Sequence, residues 1–233
     1  MSQPSIAPAP LRERLSMLPG LGQGRRRLVL LLSQLGDFDS LEYAQALLPA
    51  LPRLQAAGIA VVAFAIGDQA GADRFSAYTG LPRSLLVPEP GARLHRELGL
   101  YEGLQVPGGP WPALLLMCAG IGSPGTLGEV LRGYSGDRSA AQRLEGAPFS
   151  ALGEGYLRPF ELATVRLRNM QEVLGRWRTY VPSDEHLTQR GGTFLLDADD
   201  TTLYAHRDRG ILGFSETMAD PLRFLTPWLP PAA

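Results

Sequence analysis

The chain has 233 residues, 45% of them hydrophobic, with a formal net charge of −1. That is enough for one large domain or two small ones around a substantial core. The near-neutral balance gives no bulk attraction to nucleic acid or to an anionic membrane. Every basic residue is arginine, so Schiff-base and P-loop lysine chemistry are excluded. The single cysteine, Cys118, excludes an intramolecular disulfide. The longest apolar run, Ala113 to Ile121, is shorter than the ~20 residues a membrane span needs. Met1 to Pro10 has no signal-peptide core. The expected compartment is therefore soluble and reducing, the cytoplasm or its equivalent.

In chain order, residues 1–24 read as a partly disordered Pro/Ala/Ser-rich tail with a short helix near Leu11 to Met17. The domain proper begins at about residue 25. A buried strand is expected over 28–35, a turn at Gly36-Asp37-Phe38-Asp39-Ser40, a helix over about 41–57 stopped by Gly58, and a strand over 59–66. The last is apolar throughout, as a central parallel strand covered on both faces should be. A short helix over 70–79, a short strand over 84–87 and a helix over 92–98 follow. The stretch from about 101 to 189 is irregular, with helices expected near 126–133 and 159–178. A hairpin closes the pattern, with strands over 193–197 and 201–206 about the turn Ala198-Asp199-Asp200. A final helix is expected over 215–225, capped by Ser215 and ended by Pro227.

This order, βαβ, a third strand with helices, then an antiparallel hairpin, is that of an α/β thioredoxin-like fold, a central mixed sheet flanked by helices. A long, mainly helical insertion precedes the C-terminal hairpin. The segments Leu28 to Ala57, Pro90-Gly91…Leu98-Gly99-Leu100 and Arg190-Gly191-Gly192-Thr193-Phe194-Leu195-Leu196-Asp197 resemble the peroxiredoxin-like branch of the alkyl hydroperoxide reductase/thiol-specific antioxidant (AhpC/TSA) family. The resemblance covers about two-thirds of the chain. It implies a reactive site at the strand-to-helix turn, where members with thiol activity carry a Cys-x-x-Cys or a single cysteine. This chain has Asp37-Phe38-Asp39-Ser40 there. It also implies an arginine before the hairpin that polarises the peroxide, and Arg190 is similar in position.

The site residues expected from this comparison are Asp37, Asp39, Ser40 and Arg190, with Cys118 as the candidate thiol. Asp39 with Glu42 reads as a capping box. Asp37 suits the positive end of the helix dipole and an ion pair with Arg190. Cys118, in an apolar run, reads as a buried, inert thiol. Gly120-Ile121-Gly122-Ser123-Pro124-Gly125 matches G-x-G-x-x-G, but no second strand ending in an acid follows it. It therefore reads as a link between two helices, with Ser123 capping the second, rather than a dinucleotide site. His206-Arg207-Asp208-Arg209 reads as an exposed ion-pair cluster, or alternatively as a surface for an anion or a partner. His95, His186 and His206 lack metal-ligand spacing. The helix over 159–178, apolar at 160, 162, 163, 167, 170 and 174, is expected to pack on the domain.

Peroxide reduction needs a thiolate that becomes a sulfenic acid, and the turn supplies none. The functional expectation is a non-peroxidase binding or regulatory protein, a pseudoenzyme of an antioxidant family. It would need no cofactor or metal and would act on an unidentified protein partner or small ligand, with no nucleic acid and no membrane span. The alternative is a thiol-dependent antioxidant oxidoreductase using Cys118.

Overall fold

The computed structural model describes residues 5–135, 158–211, 213–216 and 220–230, without the side chains of 132–135 and 158–164. Its centre is a six-stranded sheet in the order β1-β6-β5-β2-β3-β4. The strands are β1 (Ser5–Ile6), β2 (Arg27–Gln34), β3 (Ala60–Ile66), β4 (Leu86–Glu89), β5 (Gly192–Leu196) and β6 (Thr201–Arg207). β2, β3 and β4 run parallel, while β5 pairs antiparallel with β2 and with β6. This mixed sheet, flanked by helices, has the thioredoxin-like arrangement expected from the element order.

β2 is buried at every position because strands lie on both of its sides and helices on both of its faces. Its side chains alternate between two cores, as a strand's period requires. Leu28, Leu30 and Leu32 join the larger core with α2 (Phe38–Leu47), α3 (Leu51–Ala56) and α4 (Gln69–Thr79). Val29 and Leu31 join the smaller one with Leu11 and Leu15 of α1 (Ala9–Ser16) and Leu94 of α5 (Arg93–Glu97). The helix expected over 41–57 is thus two α-helices joined by a 3-10 turn at Leu48–Ala50, and it begins at Phe38. Pro49 and Pro52, which lack N–H donors, interrupt the helical ladder. Gly58 follows with φ of +68°, a left-handed turn that only glycine adopts at little cost.

From Ser5 onward the expected loose tail is instead structured. β1 pairs with β6 at Ser5–Thr202 and Ile6–Thr201, and α1 buries Leu11 and Leu15 completely. The insertion contributes α6 (Pro110–Cys118), the helix implied ahead of the Gly120–Gly125 link though given no bounds, then α7 (Thr126–Ser135), α8 (Arg158–Gly175) and α9 (Trp177–Tyr180). No helix among the described residues is long and apolar enough to cross a membrane.

Two expectations need correction. The terminal helix over 215–225 is absent in its described part: a 3-10 helix occupies Arg223–Trp228, with Pro227 inside it rather than after it. The rest of that expected helix, at 217–219, lies outside the described residues. In α8 the apolar stripe is not the buried face. Leu167 and Leu174 are more than half exposed, whereas Asn169 and Val173 are buried. Residues 160, 162 and 163 of that stripe fall among side chains outside the description.

The hairpin is fastened to the start of β2 by a buried ion pair. Arg27 Nη1 lies 2.8 Å from Asp200 Oδ1, and Gln23 Nε2 donates to Asp200 Oδ2 at 2.6 Å. Asp200 occupies the turn with φ of +68°. Removing one member of such a pair strands a buried charge, so Asp200→Ala should cost about 3–5 kcal/mol in urea unfolding. Asp200→Asn should cost less, since asparagine tolerates this backbone region. Equal losses in the two variants, both of which remove the carboxylate and leave Arg27 unpaired, would show that the charge alone carries the effect and that backbone tolerance adds nothing.

His95 on α5 is wholly buried, and its Nε2 lies 2.7 Å from the carbonyl of Leu32 at the end of β2. Burial pulls its pKa down to about 4. The ring is therefore neutral in the native state, with Nε2–H donating. Between pH 6.5 and 4 the unfolded chain takes up a proton that the native state refuses. Stability is complete above pH 6.5 and falls by up to about 3 kcal/mol as pH drops through that window. Denaturant melts from pH 7.5 to 4.5 should show this loss, with a visibly shallower slope in His95→Gln, which keeps a donor for Leu32.

Candidate functional site

The site is built where β2 runs out. Ser33 and Gln34 end the strand, Leu35 and Gly36 turn it, and Asp37 is the N-cap residue of α2. Gly36 is required by crowding: a methyl group there would collide with Val181 and press on Tyr180 and Val173. The insertion thus packs directly over the turn that the resemblance marks as reactive.

Asp37 has one side-chain partner on its own helix, Ser40, whose Oγ donates to Oδ2 at 3.1 Å. Asp39 is the second residue of the helix rather than its cap, so the expected capping box does not form. Glu42 instead takes a bidentate contact from Arg166 of α8, Nε at 2.8 Å and Nη2 at 3.0 Å. Asp39 is 1% exposed, and neither of its carboxylate oxygens has a hydrogen bond. The Arg166 guanidinium lies 3.7 Å away. Burial, with the charge of Asp37 second, holds the Asp39 carboxyl well above the ordinary carboxylate range. Burial also raises Asp37, against the opposing pull of Arg190 and Ser40. Ser40 is fully buried.

Arg190 does meet Asp37, but through a single contact, Nη2 to Oδ1 at 3.6 Å, and not as a bidentate fork. Its guanidinium is otherwise committed. Nε donates to the Gln189 carbonyl at 3.0 Å, Nη1 to the carbonyls of Gly210 and Ile211 at 3.4 and 3.0 Å, and Nη2 to Ser33 Oγ at 3.2 Å. Its backbone N–H donates to the Tyr101 carbonyl at 2.8 Å. Beyond it, Gly191 leaves room for Phe214, which stacks on Tyr43 at 5.4 Å.

Cys118 is exposed, which corrects the reading of a buried thiol. α6 turns Ala113 and Met117 inward, at the i and i+4 spacing of one helix face, so Cys118 lies a step round from the buried side. An all-apolar run hides which face is covered. The thiol lies within electrostatic reach of the turn: partial burial raises its pKa, the charges of Asp39 and Asp37 add to this, and Arg190 opposes it. The glycine run Gly120–Gly125 links α6 to α7. Ser123 and Thr126 there accept the Ile211 N–H at 2.7 and 2.9 Å, which fixes the carbonyl that Arg190 uses. Among the described residues no cluster of His, Cys, Asp and Glu could hold a metal ion.

Ser33 and Arg166 escaped the sequence reading, and Asp208 was read there only as part of an exposed cluster. Asp208 is buried, accepts the Gly210 N–H at 3.0 Å and adds negative charge near Asp37. The available signal for Ser33 was a hydroxyl interrupting a strand otherwise buried on both faces. Nothing local marked Arg166, whose partners lie 124 residues away.

The commitments of Arg190 predict unequal losses. Arg190→Gln should cost about 3–5 kcal/mol, since it frees buried acceptors and the Asp37 charge together. Asp37→Asn should cost about 1 kcal/mol. A double-mutant cycle read by denaturant unfolding should give a coupling of about 1–2 kcal/mol, and strict additivity would mean that the 3.6 Å contact carries no energy.

A family model described as AhpC/TSA antioxidant enzyme matches residues 46–210. Searches of curated proteins and of solved structures each found no match. The matched span starts inside α2, past Asp37–Ser40, and takes in Arg190 and the whole hairpin. It covers well over half of the chain and agrees with the thioredoxin-like sheet, so the protein belongs to the AhpC/TSA antioxidant enzyme family.

Proposed function

We propose that this family member is not a thiol peroxidase at the strand-to-helix turn and serves instead as a binding or regulatory protein on a thioredoxin-like scaffold. The observation that carries the reading is the state of that turn. It holds Asp37, Asp39 and Ser40 in place of sulfur, two of the three are fully buried, and α8 and α9 pack over it. Thiol-based reduction of a peroxide requires a thiolate to attack the O–O bond, the sulfur becoming a sulfenic acid as the second oxygen leaves as alcohol or water, and neither a carboxylate nor a hydroxyl performs that step. Arg190, the residue placed to polarise a peroxide, already spends its donors on Ser33, Asp37 and three carbonyls. The partner would be a protein or a small ligand.

The second reading, a thiol-dependent antioxidant activity of Cys118, is favoured by the exposure of that residue. Against it stand the raised thiol pKa and the position at a helix C-terminus, where the dipole disfavours a thiolate.

Peroxide consumption coupled to thioredoxin or to glutathione separates the two. The expected rate is that of buffer alone, the same in Ser40→Ala, with slow labelling of Cys118 by a thiol probe at neutral pH. Turnover that disappears in Cys118→Ser would establish the second reading.

A further inference from the structure

Within His206 to Arg209 the ion-pair contact is His206 Nε2 to Asp208 Oδ1 at 3.9 Å, not the pairing of Arg207 and Arg209 with Asp208 that alternating signs suggest. Asp208 turns inward and spends its Oδ1 on Gly210, while Arg207 and Arg209 on either side of it are exposed. Neither arginine has an ion pair with an acid among the described residues. Each is held from behind instead. The Arg207 guanidinium lies 5.1 Å from the centre of the Phe194 ring, and its Nε donates to the Leu98 carbonyl at 3.1 Å. The Arg209 guanidinium lies 5.2 Å from the centre of the Tyr101 ring. Two of these anchors, Leu98 and Tyr101, follow one another along the chain leaving α5, as the arginines follow one another along the chain leaving β6, while Phe194 lies on β5. Arg96, also exposed, belongs to the same helix end.

A guanidinium held over a ring face keeps N–H donors that can meet a carboxylate; on Arg207, whose Nε is taken by Leu98, these are the two terminal nitrogens. Holding the fork in place beforehand removes part of the entropy that an exposed arginine loses on binding. The two arginines are two residues apart, and the hydrogen-bond ladder continues between them from Asp208 N–H to the Gly191 carbonyl at 3.1 Å. In extended chain, alternate residues repeat at about 6–7 Å on one face. An extended partner with acids at alternate positions has the same repeat.

We propose that Arg207 and Arg209 form a docking edge for an extended acidic peptide segment of a partner protein. The proposal rests on the binding-protein reading above and gives the partner its chemistry. With a net charge of −1, the chain lacks the broad positive field by which nucleic acid is gathered, so the local pair acts through fit rather than bulk attraction.

The test is fluorescence anisotropy of the full-length protein with a short labelled peptide of alternating glutamate and serine, at low and at moderate salt. Saturable, salt-weakened binding is expected. It should fall roughly fivefold in the double variant R207Q/R209Q, the scale of losing two exposed charged contacts. It should be unchanged in R93Q, whose exposed arginine already pairs with Glu97. Thermal melts of both variants should match the parent. Absence of saturable binding at low salt, equal binding by the double variant, or tighter binding of a single-stranded oligonucleotide through the same arginines would overturn the proposal. Peroxide turnover of the same preparations is read separately: activity there would remove the non-peroxidase reading and leave the peptide result standing.

Discussion

One buried guanidinium holds together the end of the sheet where β2 becomes α2. Arg190 is 2% exposed, and an arginine keeps its charge at any accessible pH. Burying that charge is costly unless every donor finds an acceptor. Here the acceptors come from different parts of the chain: Ser33 on β2, Asp37 at the helix cap, the adjoining Gln189 carbonyl, and the carbonyls of Gly210 and Ile211 beyond β6. The Gly210–Ile211 peptide, which carries the Gly210 carbonyl, is fixed in turn by Ser123 and by Thr126, the first residue of α7. Strand end, helix start, hairpin exit and insertion are therefore all tied to one side chain.

The insertion lies over the turn by a polar seam. On α2, Glu42 and Gln45 share one face, and on α8, Arg166 and Asn169 do the same. Arg166 grips Glu42, while Asn169 and Gln45 exchange amide hydrogen bonds at 3.1 and 3.2 Å. Farther along, Glu172 gathers Arg74, Arg176 and Tyr180. Directional contacts of this kind fix register where an apolar face would tolerate sliding. The seam leaves Asp39 beneath it without a hydrogen bond, and its carboxyl answers by favouring the neutral form.

Membership of the AhpC/TSA family and the chemistry of this chain live on different links of the argument. The family is carried by the matched span and the sheet, whose strands, hairpin and Arg190 are present. Chemistry depends on which atoms stand at the turn and what is free to meet a substrate, and a fold does not decide that.

The sequence by itself determined the elements whose periodicity is set by neighbours along the chain. The apolar runs of β2 and β3, the glycine stop at Gly58 and the hairpin about Asp199 and Asp200 are each a local consequence of side-chain alternation or backbone freedom. The approach of Asp37 to Arg190 was legible because both sit at element ends whose order specifies where they meet. What the sequence left open were choices made by packing from a distance. Whether Asp37 or Asp39 begins α2, and whether Glu42 caps it, depended on Arg166 arriving from a helix 124 residues away. Which faces of α6 and α8 are covered, and hence that Cys118 is exposed and Asn169 buried, depended on where those helices were laid down. Only the tertiary structure decided these, because a helix carries its pattern in its sequence but takes its partner, and so its buried face, from the rest of the fold.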